Sequence, residues 1–139
     1  MMTPTGVVLR KALTANDTGE TGSHQVGIHI PKSLIPYFPP LDESARNPDR
    51  WLDIEGGGGH WQWRYIHYNK ALFGEGTRDE YRLTHVSGFF GSVAPMAGDI
   101  LELVQTCPGA FRVGIARGGA ADDRLVLVTT GPWKVVRMR

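Results

Sequence analysis

The chain has 139 residues, with 15 Lys and Arg side chains against 14 Asp and Glu, and 41% of its residues are hydrophobic. This length predicts a single domain, residues 1–139, with room for a hydrophobic core. The balanced charge excludes a strongly basic nucleic-acid-coating protein and an acidic tail protein, and the hydrophobic content excludes a disordered chain. The 18 glycines and 9 prolines favour many turns, and therefore many short strands.

Cysteine usage and the first residues predict the compartment. Cys107 is the only cysteine, so the chain can form neither an internal disulfide nor a cysteine-based zinc site. The opening MMTPTGVVLRK lacks the apolar run of a signal peptide, and no segment reaches the ~20 apolar residues of a membrane span. These patterns predict a soluble, cytoplasmic protein with no membrane partner.

Short apolar and β-branched runs predict eight strands along the chain. In order they are Val7–Leu9, Val26–Ile30, His60–Tyr68, Arg82–Val86, Ile100–Val104, Phe111–Ala116, Leu125–Thr130 and Trp133–Met138. The third is rich in aromatic residues, and its alternation places Trp61, Trp63 and Tyr65 on one face. Gly131-Pro132 joins the last two runs and predicts a hairpin.

Helical signals occur in two places. Ser33 is a candidate N-cap of a short helix through Leu34 and Ile35, which Pro36 limits. Leu41–Leu52 is a candidate second short helix. Many short strands with one or two short helices predict a mainly β fold of seven or eight strands, closed or nearly closed into a barrel.

A polar, glycine-hinged segment precedes the second predicted strand. Residues 14–32 read TANDTGETGSHQVGIHIPK, in which Gly19 and Gly22 give the backbone freedom. Its hydrogen-bonding side chains are Thr18, Thr21, Ser23, His24 and Gln25. Such a segment suits an arm that contacts a ligand, and its composition also fits an ordinary solvated turn.

Residues 68–84, YNKALFGEGTRDEYRLT, carry an alternating charged pattern. In an extended chain Arg78, Glu80 and Arg82 face one side, and Asp79 and Tyr81 face the other. Arginine can donate to guanine O6 and N7, and glutamate can accept from cytosine N4, so the triplet suits base reading in a major groove. The same side chains also fit a surface ladder of salt bridges, and the residues alone leave both interpretations open.

Sequence motifs for catalysis are absent. The five histidines, His24, His29, His60, His67 and His85, do not follow the spacing of a known metal site. No Asp or Glu is followed two positions later by Lys, the arrangement that Mg²⁺-dependent nucleases commonly use. We therefore expect no catalytic residue, metal or cofactor in this chain.

Two segments resemble one known family. LTANDTGETGSHQVGIHIPK (13–32) and IHYNKALFGEGTRDEYRLT (66–84) resemble, in the same order, two segments of the N-terminal effector domain of EcoRII-like, CCWGG-specific restriction endonucleases. The resemblance implies a DNA-binding pseudobarrel, shared with the plant "B-three" domain, whose two arms enter the major groove. It places the first arm, the N-arm, at Thr18–His29 and the second, the C-arm, at Gly74–Arg82.

The same resemblance assigns roles to individual side chains. The implied base-reading residues are His24, Gln25, His29, Arg78, Glu80 and Arg82. The implied backbone-contacting or positioning residues are Thr18, Thr21, Ser23, Lys32, Arg64, Lys70, Thr77, Asp79 and Tyr81. The implied partner is double-stranded DNA with a CCWGG-like target, and the implied role is recognition for a nuclease domain elsewhere in a larger restriction enzyme. The isolated domain is expected to be monomeric.

Three other interpretations remain open at this point. The chain could be a stand-alone DNA-binding protein. It could be a small metal-dependent β-barrel enzyme with ligands drawn from His24, His29, His60 and His67. It could also be a sugar-binding module that uses Trp51, Trp61 and Trp63 as stacking platforms, although their alternation favours a core position for Trp61 and Trp63.

Overall fold

The computed structural model describes residues 6–19, 27–117 and 124–138, and one curled sheet of nine strands dominates them. The strands are β1 Val7–Ala12, β2 Ile28–Ile30, β3 Asp49–Gly56, β4 Gly59–Tyr68, β5 Glu80–Thr84, β6 Ile100–Cys107, β7 Ala110–Ala116, β8 Val126–Thr130 and β9 Trp133–Arg137. The α-helices are α1 Ala15–Thr18 and α2 Ser87–Val93, and the 3₁₀ helices are Lys32–Tyr37 and Lys70–Phe73. None of the helices in these described residues is long and apolar enough to cross a membrane.

The sheet curls so that its two ends approach each other. Its order is β2-β5-β4-β3-β7-β6-β1-β9-β8, and β3 and β7 are the parallel neighbours in it. Trp133 Nε1 on β9 donates to the carbonyl oxygen of His29 on β2 at 3.1 Å, and Ser33 Oγ lies 2.8 Å from Thr130 Oγ1 on β8. These side-chain contacts join the two ends of the sheet, where no ladder of backbone hydrogen bonds links the described strands. The predicted mainly β pseudobarrel is thereby confirmed.

Alternation along the strands fills the barrel with aromatic and branched side chains. Trp63 and Tyr65 on β4 are fully buried, as the sequence predicted, and Trp61 packs against the same core from its rim. Phe89 meets both tryptophans edge-on, with ring centroids 6.0 Å from Trp61 and 5.7 Å from Trp63. Such edge-to-face aromatic pairs contribute about 0.5–1.5 kcal/mol each beyond the area they bury.

One helix prediction is wrong. The predicted helix at Leu41–Leu52 is instead an irregular turn followed by strand β3, which raises the strand number to nine. Leu52 and Ile54 point into the core, and in the β3–β4 ladder they lie opposite Trp63 and Trp61. Pairing with a long neighbouring strand decides the conformation here, because strand stability depends more on such neighbours than on local preference.

The other predicted helix forms, but its cap differs. The 3₁₀ helix Lys32–Tyr37 begins after Pro31, without a side-chain cap, and the Ser33 hydroxyl reaches Thr130 instead. Helix α2 was not predicted, since its sequence SGFFGSV contains two glycines. It forms because it buries Phe89 and Phe90 against the barrel. The hairpin of β8 and β9 is present as predicted.

Gly27 lets β2 lie close to β5, and its replacement gives a test of this packing. A Cβ atom at Gly27 would lie 2.2 Å from the carbonyl oxygen of Leu83, and the φ angle of +91° disfavours a side chain as well. We expect Gly27→Ala to lower the free energy of unfolding by about 2 kcal/mol or more, measured by urea denaturation.

The matched control is Gly91→Ala in α2. A Cβ atom there would meet nothing within 4 Å, so alanine should leave stability unchanged or raise it by up to ~1 kcal/mol through helix propensity. Equal midpoints for Gly27→Ala and the unmodified protein would contradict the close approach of β2 and β5.

Candidate functional site

The C-arm ends in strand β5, which carries a charged outer face. Tyr81 and Leu83 point into the core, so the intervening Glu80 and Arg82 point outward. Arg78 Nε donates to Glu80 Oε1 at 2.5 Å, and Arg82 donates to Glu80 Oε2 at 3.3 Å. The structure therefore brings the predicted triplet together on one face, with Glu80 at its centre.

Two arginines determine the charge state of Glu80. Partial burial alone would raise its pKa, but the hydrogen bonds from Arg78 and Arg82 outweigh burial and hold the pKa below its ordinary value. Glu80 is thus an ionised acceptor at neutral pH. The guanidinium of Arg78 also lies over the ring of Tyr68, 3.7 Å from its centroid, so one face of this cation is fixed by an aromatic ring.

His29 extends this face onto β2. It pairs with Arg82 across the β2–β5 ladder, and its side chain is exposed. Partial shielding of the ring from solvent by neighbouring atoms, followed by repulsion from Arg82, lowers the pKa of His29 from its ordinary value. The imidazole is therefore neutral at pH 7, with one nitrogen that donates and one that accepts.

The opposite side of the C-arm is anchored by Asp79. Its Oδ2 accepts from Lys32 Nζ at 2.6 Å, and its Oδ1 lies 2.7 Å from Nε2 of the buried His67. Hydrogen bonds from His67 and Lys32 hold the pKa of Asp79 below its ordinary value. Asp79 therefore joins the arm to the end of β4 and to the segment after β2.

Residues 41–48, which we call the buttress loop, support the arm from below. Glu43 accepts from the hydroxyl of Tyr81 at 2.8 Å and contacts His67 at 2.6 Å. Asn69, fully buried, accepts from the Asn47 amide at 2.7 Å and donates to the Ala45 carbonyl at 2.8 Å. The loop is thereby fastened to the point where β4 runs into the C-arm.

A further ion pair joins the buttress loop to the arm. Arg46 pairs with Glu75 of the C-arm, and its guanidinium lies 4.7 Å from the ring centroid of Phe73. Both partners of the ion pair are largely exposed, so it contributes little to stability.

The N-arm is described only at its two ends. Thr14 and Asp17 form a capping box that starts α1, and Asp17 forms a buried ion pair with Lys11 of β1. The hydroxyl of Thr18 donates to the carbonyl of Ala15. The predicted residues Thr21, Ser23, His24 and Gln25 lie outside the described residues.

The remaining predicted backbone contacts occupy varied positions. Arg64 pairs with Asp49 at 2.5 Å on the outer face of β4, while Lys70 and Thr77 are exposed beside the C-arm. Tyr81 differs from them because it is buried. Burial and the hydrogen bond to Glu43 raise the pKa of Tyr81, so it stays protonated and supports the arm from inside.

The histidine-metal interpretation finds no site in residues 6–19, 27–117 and 124–138. No group of three His, Cys, Asp or Glu side chains there could hold a metal ion. His60 and His67 lie at opposite ends of β4, about 23 Å apart at the usual rise of a strand. His24 lies outside the described residues.

The three tryptophans do not form a common stacking platform. Trp63 is in the core, and Trp61 Nε1 donates to the carbonyl of Gly56 at 3.0 Å. Trp51 is exposed on the outer face of β3, against the edge of His85. Nothing in this arrangement favours the sugar-binding interpretation.

Sequence reasoning missed three parts of the site: Tyr68 under Arg78, Glu43 under Tyr81, and the bridging position of His67. Tyr68 had a signal, since it opens the segment that holds the triplet and faces Glu80 across the ladder. Glu43 had none, because it lies 24 residues from His67 and 38 from Tyr81.

Comparison with known proteins gives two similar proteins of very different origin. Over 79 residues the chain is 39% identical to the type II restriction enzyme EcoRII of Escherichia coli, which covers 53% of this chain and 19% of the enzyme. Over 114 residues it is 35% identical to auxin response factor 22 of Arabidopsis thaliana, which covers 78% of this chain and 17% of that protein. The chain thus matches less than a fifth of the length of either relative.

A family match covers more of the chain than the first relative does. Residues 2–107 match the family described as "Restriction endonuclease EcoRII, N-terminal". The match includes both arms, the buttress loop and strands β1 to β6. The chain therefore belongs to the EcoRII N-terminal domain family.

Proposed function

We propose that this domain binds double-stranded DNA and reads a short sequence in the major groove with the C-arm and the N-arm. The observation that carries the proposal is the Arg78–Glu80–Arg82 set, in which Glu80 and Arg82 lie on the outer face of β5 and Arg78 lies just before the strand. The carboxylate of Glu80 orients both arginines. Family membership, and likeness to a restriction enzyme and to an auxin response factor, supports the same function.

The chemistry of the set matches the edges of G·C pairs. Arg78 and Arg82 would donate to guanine O6 and N7, and Glu80 would accept from cytosine N4. Neutral His29 would donate to or accept from a neighbouring base. Lys32, Arg64 and Lys70 would contact phosphates, which fix the register without reading sequence.

The target that this set and the family resemblance favour is CCWGG-like. In a longer parent protein the domain would act as the recognition domain of a restriction endonuclease, and a separate nuclease domain would cut the DNA. The described residues assign no catalytic step to this chain, and the proposal needs none. We expect the isolated domain to bind DNA as a monomer.

The first test compares two duplexes by fluorescence anisotropy. One carries CCWGG and the other a scrambled core of the same composition, at ~0.15 M salt, where non-specific binding is weakened. We expect the first duplex to bind about a hundredfold more tightly, a difference of roughly 2.7 kcal/mol. Equal affinity for both would contradict sequence-specific recognition of this target.

Arg78→Ala tests base reading by the C-arm. We expect a loss of ~1–3 kcal/mol on the preferred duplex, with relaxed preference at one base pair, because a bidentate contact is removed. Arg112→Ala is the matched control, an exposed arginine on β7 away from the arm, and should bind like the unmodified domain. Equal losses on preferred and scrambled duplexes would reassign Arg78 to a phosphate.

Lys70→Ala tests a phosphate contact. Removing one charge at the phosphate backbone should weaken all duplexes alike and reduce the slope of log affinity against log salt by about one unit. Lys134→Ala, at an exposed position of β9, is the control and should leave the slope unchanged. An unchanged slope for Lys70→Ala would remove this residue from the interface.

A further inference from the structure

His67 lies under the C-arm, between two carboxylates. Its side chain is 4% exposed, and its two ring nitrogens lie 2.6 Å from Glu43 Oε1 and 2.7 Å from Asp79 Oδ1. An ionised carboxylate can only accept a hydrogen bond, so a ring that bonds to two ionised carboxylates donates from both of its nitrogens. A ring that donates from both nitrogens carries two protons and is an imidazolium.

The buried ring lies among groups of opposite charge. Tyr81 stacks on it, with ring centroids 3.9 Å apart and planes 11° from parallel, and also donates its hydroxyl to Glu43. Lys32 pairs with the second oxygen of Asp79. Two cations, His67 and Lys32, thus face two anions, Glu43 and Asp79. Loss of the ring proton would leave a net negative charge beneath an arm that approaches DNA.

Asp79 links the buried His67 ring to the exposed face of the C-arm. It lies between Arg78 and Glu80, and successive side chains of an extended chain point to opposite sides. A fixed Asp79 side chain on the inner side therefore fixes the direction of its two neighbours on the outer side.

We propose that the imidazolium of His67 is a positioning residue for the C-arm, and that loss of its ring proton frees Asp79 and weakens binding of the preferred DNA. This inference rests on the proposed function and adds a pH-dependent control to it. The contribution is present while the ring carries both protons and is lost with the second proton.

Other titratable groups in the network do not produce the same effect. Glu43, Asp79 and Tyr81 face the ring directly, and Lys32 lies behind Asp79. The pKa of Asp79 lies below its ordinary value and that of Tyr81 above it, so neither titrates near neutrality. On the outer face His29 also gains charge on acidification, but its lowered pKa puts that change at more acidic pH than in an ordinary histidine.

The first experiment needs no DNA. In a nitrogen-15 NMR pH series on the free domain, we expect two protonated ring nitrogens for His67 while the arm is ordered. As the second proton is lost, the amides of residues 75–82 should exchange with solvent about tenfold faster or more, as expected when a charge-assisted hydrogen bond is lost. A singly protonated ring with an ordered arm would overturn the proposal.

The second experiment measures the affinity for the CCWGG duplex between about pH 5 and about pH 8, the range in which imidazole side chains usually change charge. For the unmodified domain we expect affinity to fall by about tenfold or more, and by less on the scrambled duplex. His67→Gln should bind weakly and almost independently of pH. The control His60→Gln changes an exposed histidine on the same strand and should keep the original profile.

Asp79→Asn is a second variant for the case that His67→Gln does not fold, because Asp79 is partly exposed. It should also flatten the pH profile. An unaltered profile in either folded variant would overturn the role of His67. If neither duplex binds at any pH, the proposed function fails, while the ring protonation and arm exchange still decide whether His67 positions the arm.

Discussion

The fold of the C-arm depends on a polar contact buried at its base. Asn69 joins the end of β4 to the backbone of Ala45 and Asn47, and no part of its side chain is exposed. A buried amide that lost these partners would cost about 1–3 kcal/mol for each unpaired group, so the loop and the strand end must stay in register. Hydrophobic packing could not fix this register alone, because it is not directional.

This constraint explains why an acidic segment lies beside a site proposed to bind an anion. The segment at 41–55 is acidic overall, and three of its carboxylates have specific partners. Glu43 turns inward to His67 and Tyr81, Asp49 pairs with Arg64, and Asp53 accepts from Gln62. The carboxylate of Glu43 therefore supports the arm, and the charge of Asp49 is compensated by Arg64.

What the sequence could predict follows from the range of the interactions. Strands with apolar alternation, such as His60–Tyr68, were predictable because the period-two pattern is local. The placement of Arg78, Glu80 and Arg82 on the same side of the chain was predictable for the same reason. Strand β3 was not, because its conformation depends on pairing with β4 and β7.

The contacts of Glu43, His67 and Asp79 beneath the arm also could not be predicted from local sequence patterns. They join side chains 12 to 38 residues apart, and only the folded chain brings them together. Histidine spacing gave no hint, because a histidine between two carboxylates needs no particular separation from other histidines. The middle of the N-arm lies outside the described residues, so base reading by His24 and Gln25 stays a prediction.

Under the proposed function, the free domain already pairs several of the cations that would meet DNA. Glu80 holds Arg78 and Arg82, Asp79 holds Lys32, and each of these pairs must be exchanged or shared when a duplex binds. A scrambled site offers phosphates but no matching base edges, so the exchange there is poorly compensated. With a net charge of only +1, long-range attraction adds little to offset this cost. These ion pairs within the domain thus lower its affinity for non-specific DNA. They favour sites where guanine and cytosine replace the lost partners, and a nearly neutral domain can be selective in this way.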